Sequence, residues 1–193
     1  MFKKSIIILI VACVFLVTVP TLAETPSKTT EDLTRVIEIR LADESINNAL
    51  IWIEDEPTEL HLEQMELITT FMKDNDSVAK FFSDEMRQAM SALLEQTTTQ
   101  TTDIDQLIMS EFVSLGIGIY EEKYGDVTGL FQFPTEFEDT QTALAVVGYM
   151  DDEGTMVWQP LETEIVDGSL QIVFPMELMQ VIGQSAVLAV LSK

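Results

Sequence analysis

From Ser110 to Ser192 the chain is interrupted, about every ten residues, by clusters that favour turns. EFVSLGIGIY, DVTGLFQF, TALAVVGYM, TMVWQPLETEI, SLQIVF and SAVLAVLS are rich in β-branched and aromatic residues, and EEKYG, PTEFEDT, DDEG and VDG part them. A chain with this rhythm has few choices. Short strands joined by tight turns pair with one another in an antiparallel sandwich or a curled sheet. Leu170, Ile172 and Phe174 fall at alternate positions, as in a strand buried on one side. TALAVVGY and SAVLAVLS are apolar on both faces, which places them in the middle of the packing. Pro175 followed by MELMQVIG predicts a short helix crossing over to the strand after it.

The region before these strands has a different period. Pro57-Thr58 opens a helix whose broad apolar face holds Leu60, Met65, Leu67, Ile68, Phe71 and Met72. Asp74-Asn75-Asp76 breaks it, Ser77 starts a turn with Val78, Phe81 and Phe82, and Ser83 caps a second helix with Met86, Ala89, Met90 and Leu93 on one side. Upstream, LTRVIEIRL puts Ile37, Ile39 and Leu41 at alternate positions and predicts a strand, with a helix from Thr30 as the competitor. ALIWIED is expected to pair with that strand. QTTTQTTD lacks periodicity and reads as a linker or long loop. The expected organisation is therefore an α/β region over 24–95, a linker over 96–108 and an antiparallel β domain over 109–193.

Residues 1–23 are expected to be a signal peptide. Lys3 and Lys4 precede an apolar run from Ile6 to Val19, Pro20 ends it, and Thr21-Leu22-Ala23 offers small residues for cleavage before Glu24. The run is shorter than a membrane anchor requires. Ile10-Val11-Ala12-Cys13 resembles a lipoprotein box, but the apolar stretch continues past the cysteine. Cleavage after Ala23 discards Cys13, the only cysteine, and leaves no disulfide, thiolate nucleophile or cysteine-bound zinc. The expectation is a secreted, extracellular bacterial protein with no membrane attachment after cleavage.

The whole chain carries 10 basic and 33 acidic side chains. After Ala23 the balance is 8 against 33, a net charge of −25. Such a surface repels phosphate polymers, because nucleic-acid binding works by counterion release from lysine and arginine. Anionic lipid is disfavoured for the same reason. Cations and basic partners are favoured.

The chemistry-bearing residues are sparse. His61 is the only histidine, expected to face solvent in the first turn of its helix, so no histidine-rich metal site can form. Gly183-Gln184-Ser185-Ala186-Val187 begins like a nucleophile elbow but lacks the closing glycine and precedes a strand. Gly116-Ile117-Gly118 has no third glycine opening a helix, so no dinucleotide site is expected. Asp74-Asn75-Asp76 lacks the turn glycine and closing acid of a calcium loop. A glycosidase needs two carboxyls and an aromatic-lined cleft, for which Trp52, Trp158, Tyr120, Tyr124 and Tyr149 are the main candidates. Tyr149 and Trp158, on strands joined by DDEG, are candidate cross-strand neighbours for stacking on a sugar or clasping a peptide. If the strands run up and down, the first and third turns share one end, bringing Glu121, Glu122 and Asp126 near Asp151, Asp152 and Glu153. Those six carboxylates are the candidate ligands for a hard cation such as calcium, against plain solvation. No cofactor is expected.

DIDQLIMSEFVSLGIGIYEEKYGDVTGLFQF and VDGSLQIVFPMELMQVIGQSAVLAVLS resemble a module of uncharacterised secreted helical-plus-β-sandwich proteins from Gram-positive anaerobic bacteria. Those proteins often start with a motif like Asp32-Leu33-Thr34 followed by a strand. The resemblance implies the compartment and layout, and no catalytic residue. The sequence reading is thus an α+β chain whose N-terminal strands and helices pack near an antiparallel β-sandwich. Its expected role is a non-catalytic interaction or scaffolding protein with an unknown protein or glycan partner. A carbohydrate- or peptide-binding module is the alternative, and a small carboxylate hydrolase the third.

Overall fold

The computed structural model describes residues 34–75, 77–97 and 103–193. The signal-like segment with Cys13 and Ala23, the polar lead-in, Asp76 and most of the threonine-rich stretch lie outside the described residues. The fold is α+β, with two antiparallel sheets packed as a sandwich. The four-stranded sheet has the order β1 (Arg35–Leu41), β4 (Val127–Gln132), β8 (Ser169–Phe174), β7 (Thr163–Val166). The five-stranded sheet runs β2 (Ile51–Ile53), β3 (Ile108–Ile117), β9 (Ser185–Ser192), β5 (Ala143–Met150), β6 (Met156–Leu161).

Helices α1 (Glu59–Met72) and α2 (Asp84–Thr97) cover the outer face of the five-stranded sheet. That makes three layers and two cores. Ile39, Phe131, Leu170, Ile172 and Phe174 meet Leu115, Ala145, Val147 and Leu188 between the sheets. Ile68, Phe82, Met86, Met90 and Leu94 meet Leu144, Val146 and Leu191 under the helices. Covered on both sides, β5 and β9 have almost no exposed residue, as their two-sided apolar sequences require. Helix α3 (Met176–Val181) begins after Pro175 and leads from β8 into β9.

Both helix starts are chemically clear. Thr58 Oγ1 accepts from the His61 N–H at 3.1 Å, and Ser83 Oγ accepts from the Met86 N–H at 3.2 Å. Asn75 closes α1 by donating its amide to the Phe71 carbonyl at 2.9 Å.

Three sequence expectations need correction. The ALIWIED strand pairs with β3, not with β1. After β1 the chain starts a hairpin, with an Arg40–Ile46 bridge. Asn48 then ends it, its Oδ1 taking the Ile39 N–H at 2.7 Å, and β2 forms in the other sheet. Ile37 is 43% exposed rather than sharing the buried face of Ile39 and Leu41, because it bulges between Val36 and Glu38 in the β1–β4 register. TMVWQPLETEI is two strands, β6 and β7, lying in different sheets. Pro160 sits in β6, an edge strand, where its missing N–H costs no ladder bond.

β1 and β2, which precede the helices, are hydrogen-bonded into the two sheets formed with the later strands. Ile104 and Leu107, at the end of the polar stretch, are buried under the helices.

Candidate functional site

The structure separates Tyr149 from Trp158. Tyr149 pairs with Val157 and points into the sandwich core, 7% exposed, and burial pushes its phenol pKa up. Trp158 pairs with Gly148 and points to the helices, where its ring meets Phe82 at 5.5 Å and Phe81 at 6.1 Å, both edge-on. Adjacent positions on a strand face opposite ways, so this register puts the two rings on opposite sides of the sheet. A Cβ on Gly148 would lie 2.7 Å from the Trp158 ring, so glycine leaves the groove in which that ring rests. They form no shared stacking platform.

The acidic turns do lie at one end. β3 and β5 are both antiparallel to β9, so both run the same way and their C-terminal ends share an edge of the sheet. The up-and-down premise is corrected, however: β4 belongs to the other sheet. Glu121 is engaged locally, by Lys123 at 2.8 Å and the Tyr124 hydroxyl at 2.6 Å, which lower its pKa. Asp126 accepts from the Met176 N–H at 2.8 Å. Asp151 accepts from the Glu153 and Thr155 N–H groups at 2.9 and 2.8 Å, organising its own turn. Glu122, Asp152 and Glu153 are exposed. Among the described residues no three acidic, histidine or cysteine side chains form a group able to hold a metal ion.

Two hollows meet at the β2 edge. Ile51 and Ile53 point into the sandwich core, so Trp52 between them must point outward, and it is 39% exposed. Its ring lies across the partner strand. A Cβ on Gly116, its direct partner, would come within 2.1 Å of Trp52 Cε2 and 2.3 Å of Nε1. Glu54, two residues on and on the same face, brings Oε1 to 2.4 Å from the same point. Hollows of about 460 and about 820 Å³ open on either side, and Trp52 and Glu54 line both. The first is walled by Arg35, Asp55, His61, Phe112 and Ser114, the second by Ile119, Tyr120, Glu122, Gln180 and Gln184. Ile119 is 87% exposed at the rim. The alternation within IWI is the sequence signal that points to Trp52 as the outward residue.

His61 is half-buried rather than solvent-facing. α1 leans on β3, so the His61 ring stands edge-on to Phe112 with centroids 5.0 Å apart, and its Nδ1 is enclosed without a hydrogen-bond partner. Burial lowers its pKa from the usual 6.5. Between that depressed value and 6.5 the unfolded chain binds more protons than the folded one, so stability falls as pH drops through this window. Above 6.5 both states are neutral and the contribution is fully present. Urea melts at a series of pH values should therefore show wild type losing ground to His61→Leu as pH falls below 6.5, with a constant difference above it. A difference that stays flat through the window would refute the enclosure of Nδ1.

Ser114, the serine of the first hollow, is 3% exposed, and its Oγ accepts from the Thr58 N–H at 3.4 Å and lies 3.5 Å from Thr58 Oγ1. Ser185 is at the start of β9 with its Oγ enclosed and unpartnered. Comparison of the chain with protein-family models, curated proteins and solved structures finds no match.

Proposed function

We propose that this chain is an exported, non-catalytic interaction protein that holds its partner at the cleft around Trp52. The observation that carries the reading is the indole itself. It is the one exposed aromatic ring among the described residues, laid across Gly116 between two hollows. Tryptophan kept in water at a concave edge is a usual anchor for a partner surface, because it buries a large area with little loss of side-chain freedom. The signal-like start supports export, and the net charge of −25 after Ala23 supports solubility outside the cell.

The test is retention. Immobilised chain from Glu24 onward, exposed to surface material of the producing cells, should retain a component that binds the Trp52→Ala chain at least about tenfold more weakly. Trp52 is at an edge and half in water, so the variant should melt within about 1 kcal/mol of wild type. Equal retention by two equally stable chains would overturn the proposal.

A further inference from the structure

The partner's chemistry can be read from the strand next to Trp52. We infer that the cleft takes an extended, lysine- or arginine-rich peptide, which adds as a strand to the edge of β3 that no described strand covers beyond β2; this rests on the Trp52 cleft being the binding site. β3 has ten residues and β2 only three. The ladder between them ends where the Glu54 N–H reaches the Ser114 carbonyl at 3.0 Å. Beyond Glu54 the chain leaves the ladder through Pro57, and Thr58 and His61 at the start of α1 pack on the face of β3, against Ser114 and Phe112. In an antiparallel ladder alternate residues bond to the same neighbour. Ser114 bonds towards β2, so Phe112 presents its N–H and C=O on the same side, with no described strand beside it. Such an edge is a template for another strand. The hollow of about 460 Å³ opens here, with Phe112 and Val113 in its wall.

Charge selects the occupant. Glu54, Asp55 and Glu56 follow β2 directly, and Glu59 opens α1. Arg35, the one cation in that wall, is engaged with Gln132, its Nε donating to Oε1 at 2.7 Å. A second copy of this chain would bring the same strong negative charge and be repelled. A basic strand meets the carboxylates, and its ammonium or guanidinium groups can sit over the exposed face of Trp52. Main-chain bonds to β3 would supply affinity, and alternate side chains specificity.

The experiment uses the chain from Glu24 onward and a blocked synthetic peptide of about eight residues alternating lysine and valine, long enough to form a strand. Two further versions carry N-methyl groups on alternate amides, in the two possible phases. A strand added to β3 donates through only one phase, so one methylated version should lose at least about tenfold in affinity while the other binds as the parent does. Replacing lysine by glutamate should cost at least about tenfold, and binding should weaken with salt. Exchange of the Phe112 amide should slow on binding. Equal binding by both methylated peptides, or unchanged Phe112 exchange, would overturn strand addition. If the peptide fails while a neutral oligosaccharide binds and depends on Trp52, the peptide inference falls and the cleft proposal stands. If binding persists undiminished in Trp52→Ala, the cleft proposal falls as well.

Discussion

Phe131→Ala is expected to lower the free energy of unfolding by about 3–5 kcal/mol, the range for deleting a buried aromatic ring. Phe131 is fully buried on β4, between the two sheets. Its ring stacks on Phe133 with centroids 6.3 Å apart and meets Phe174 at 6.1 Å. It also folds back over its own strand, since a Cβ on Gly129 would sit 2.4 Å from Phe131 Cε2. Alanine would therefore open a hole floored by glycine and walled by Ile39, Phe133 and Phe174. The many other side chains between the sheets hold their separation, so the cavity cannot close by collapse. Phe131→Leu keeps most of the volume and should cost clearly less. Equilibrium denaturant melts measure both. A loss below about 1 kcal/mol for the alanine variant would mean the core is far more yielding than its packing suggests.

Thr163→Val should also cost a few kcal/mol, although it changes neither shape nor volume appreciably. Thr163 follows the corner at which the chain leaves β6 for β7, and it is 6% exposed. Its Oγ1 donates to the Leu161 carbonyl at 2.9 Å and accepts from the Ala145 N–H at 2.9 Å. One hydroxyl at the start of β7 thus bonds to both β5 and β6, adjacent strands of the five-stranded sheet. Valine would remove the hydroxyl from both bonds, and a buried backbone group left unsatisfied costs about 1–3 kcal/mol. Thr163→Ser retains the hydroxyl and should recover most of the loss. If serine and valine variants melt alike, the hydroxyl is not what holds the corner.

The strands and helices were legible because their signals are local. Turn residues bound β3, β4, β5, β8 and β9, and Thr58 and Ser83 announce the two longer helices by the hydrogen bonds they later make. The two-sided apolar pattern of TALAVVGY and SAVLAVLS foretold central strands, and both lie inside the five-stranded sheet. Assignment of strands to sheets was not legible. It turned on single side chains: Asn48 ending a hairpin by taking the Ile39 N–H, and Thr163 bonding across the corner after Leu161. Neither residue advertises a long-range partner in sequence. The expected aromatic pair failed for a related reason, since register decides which face a residue occupies, and a shift of one position reverses it. Tyr149 sits opposite Val157, leaving Trp158 to rest on Gly148 and Trp52 to occupy the open edge.

β9 follows every other described strand, yet it lies between β3 and β5 at the centre of the five-stranded sheet. During synthesis, β2 with β3 and β5 with β6 can each form a pair, but nothing joins the pairs until β9 arrives. The four-stranded sheet repeats the arrangement on a smaller scale, with β8 inserting between β4 and β7. Contacts this distant in sequence make folding slow and nearly all-or-none. Such a chain can pair strands locally while it is being made, but its five-stranded sheet becomes continuous only when β9 slots into the gap.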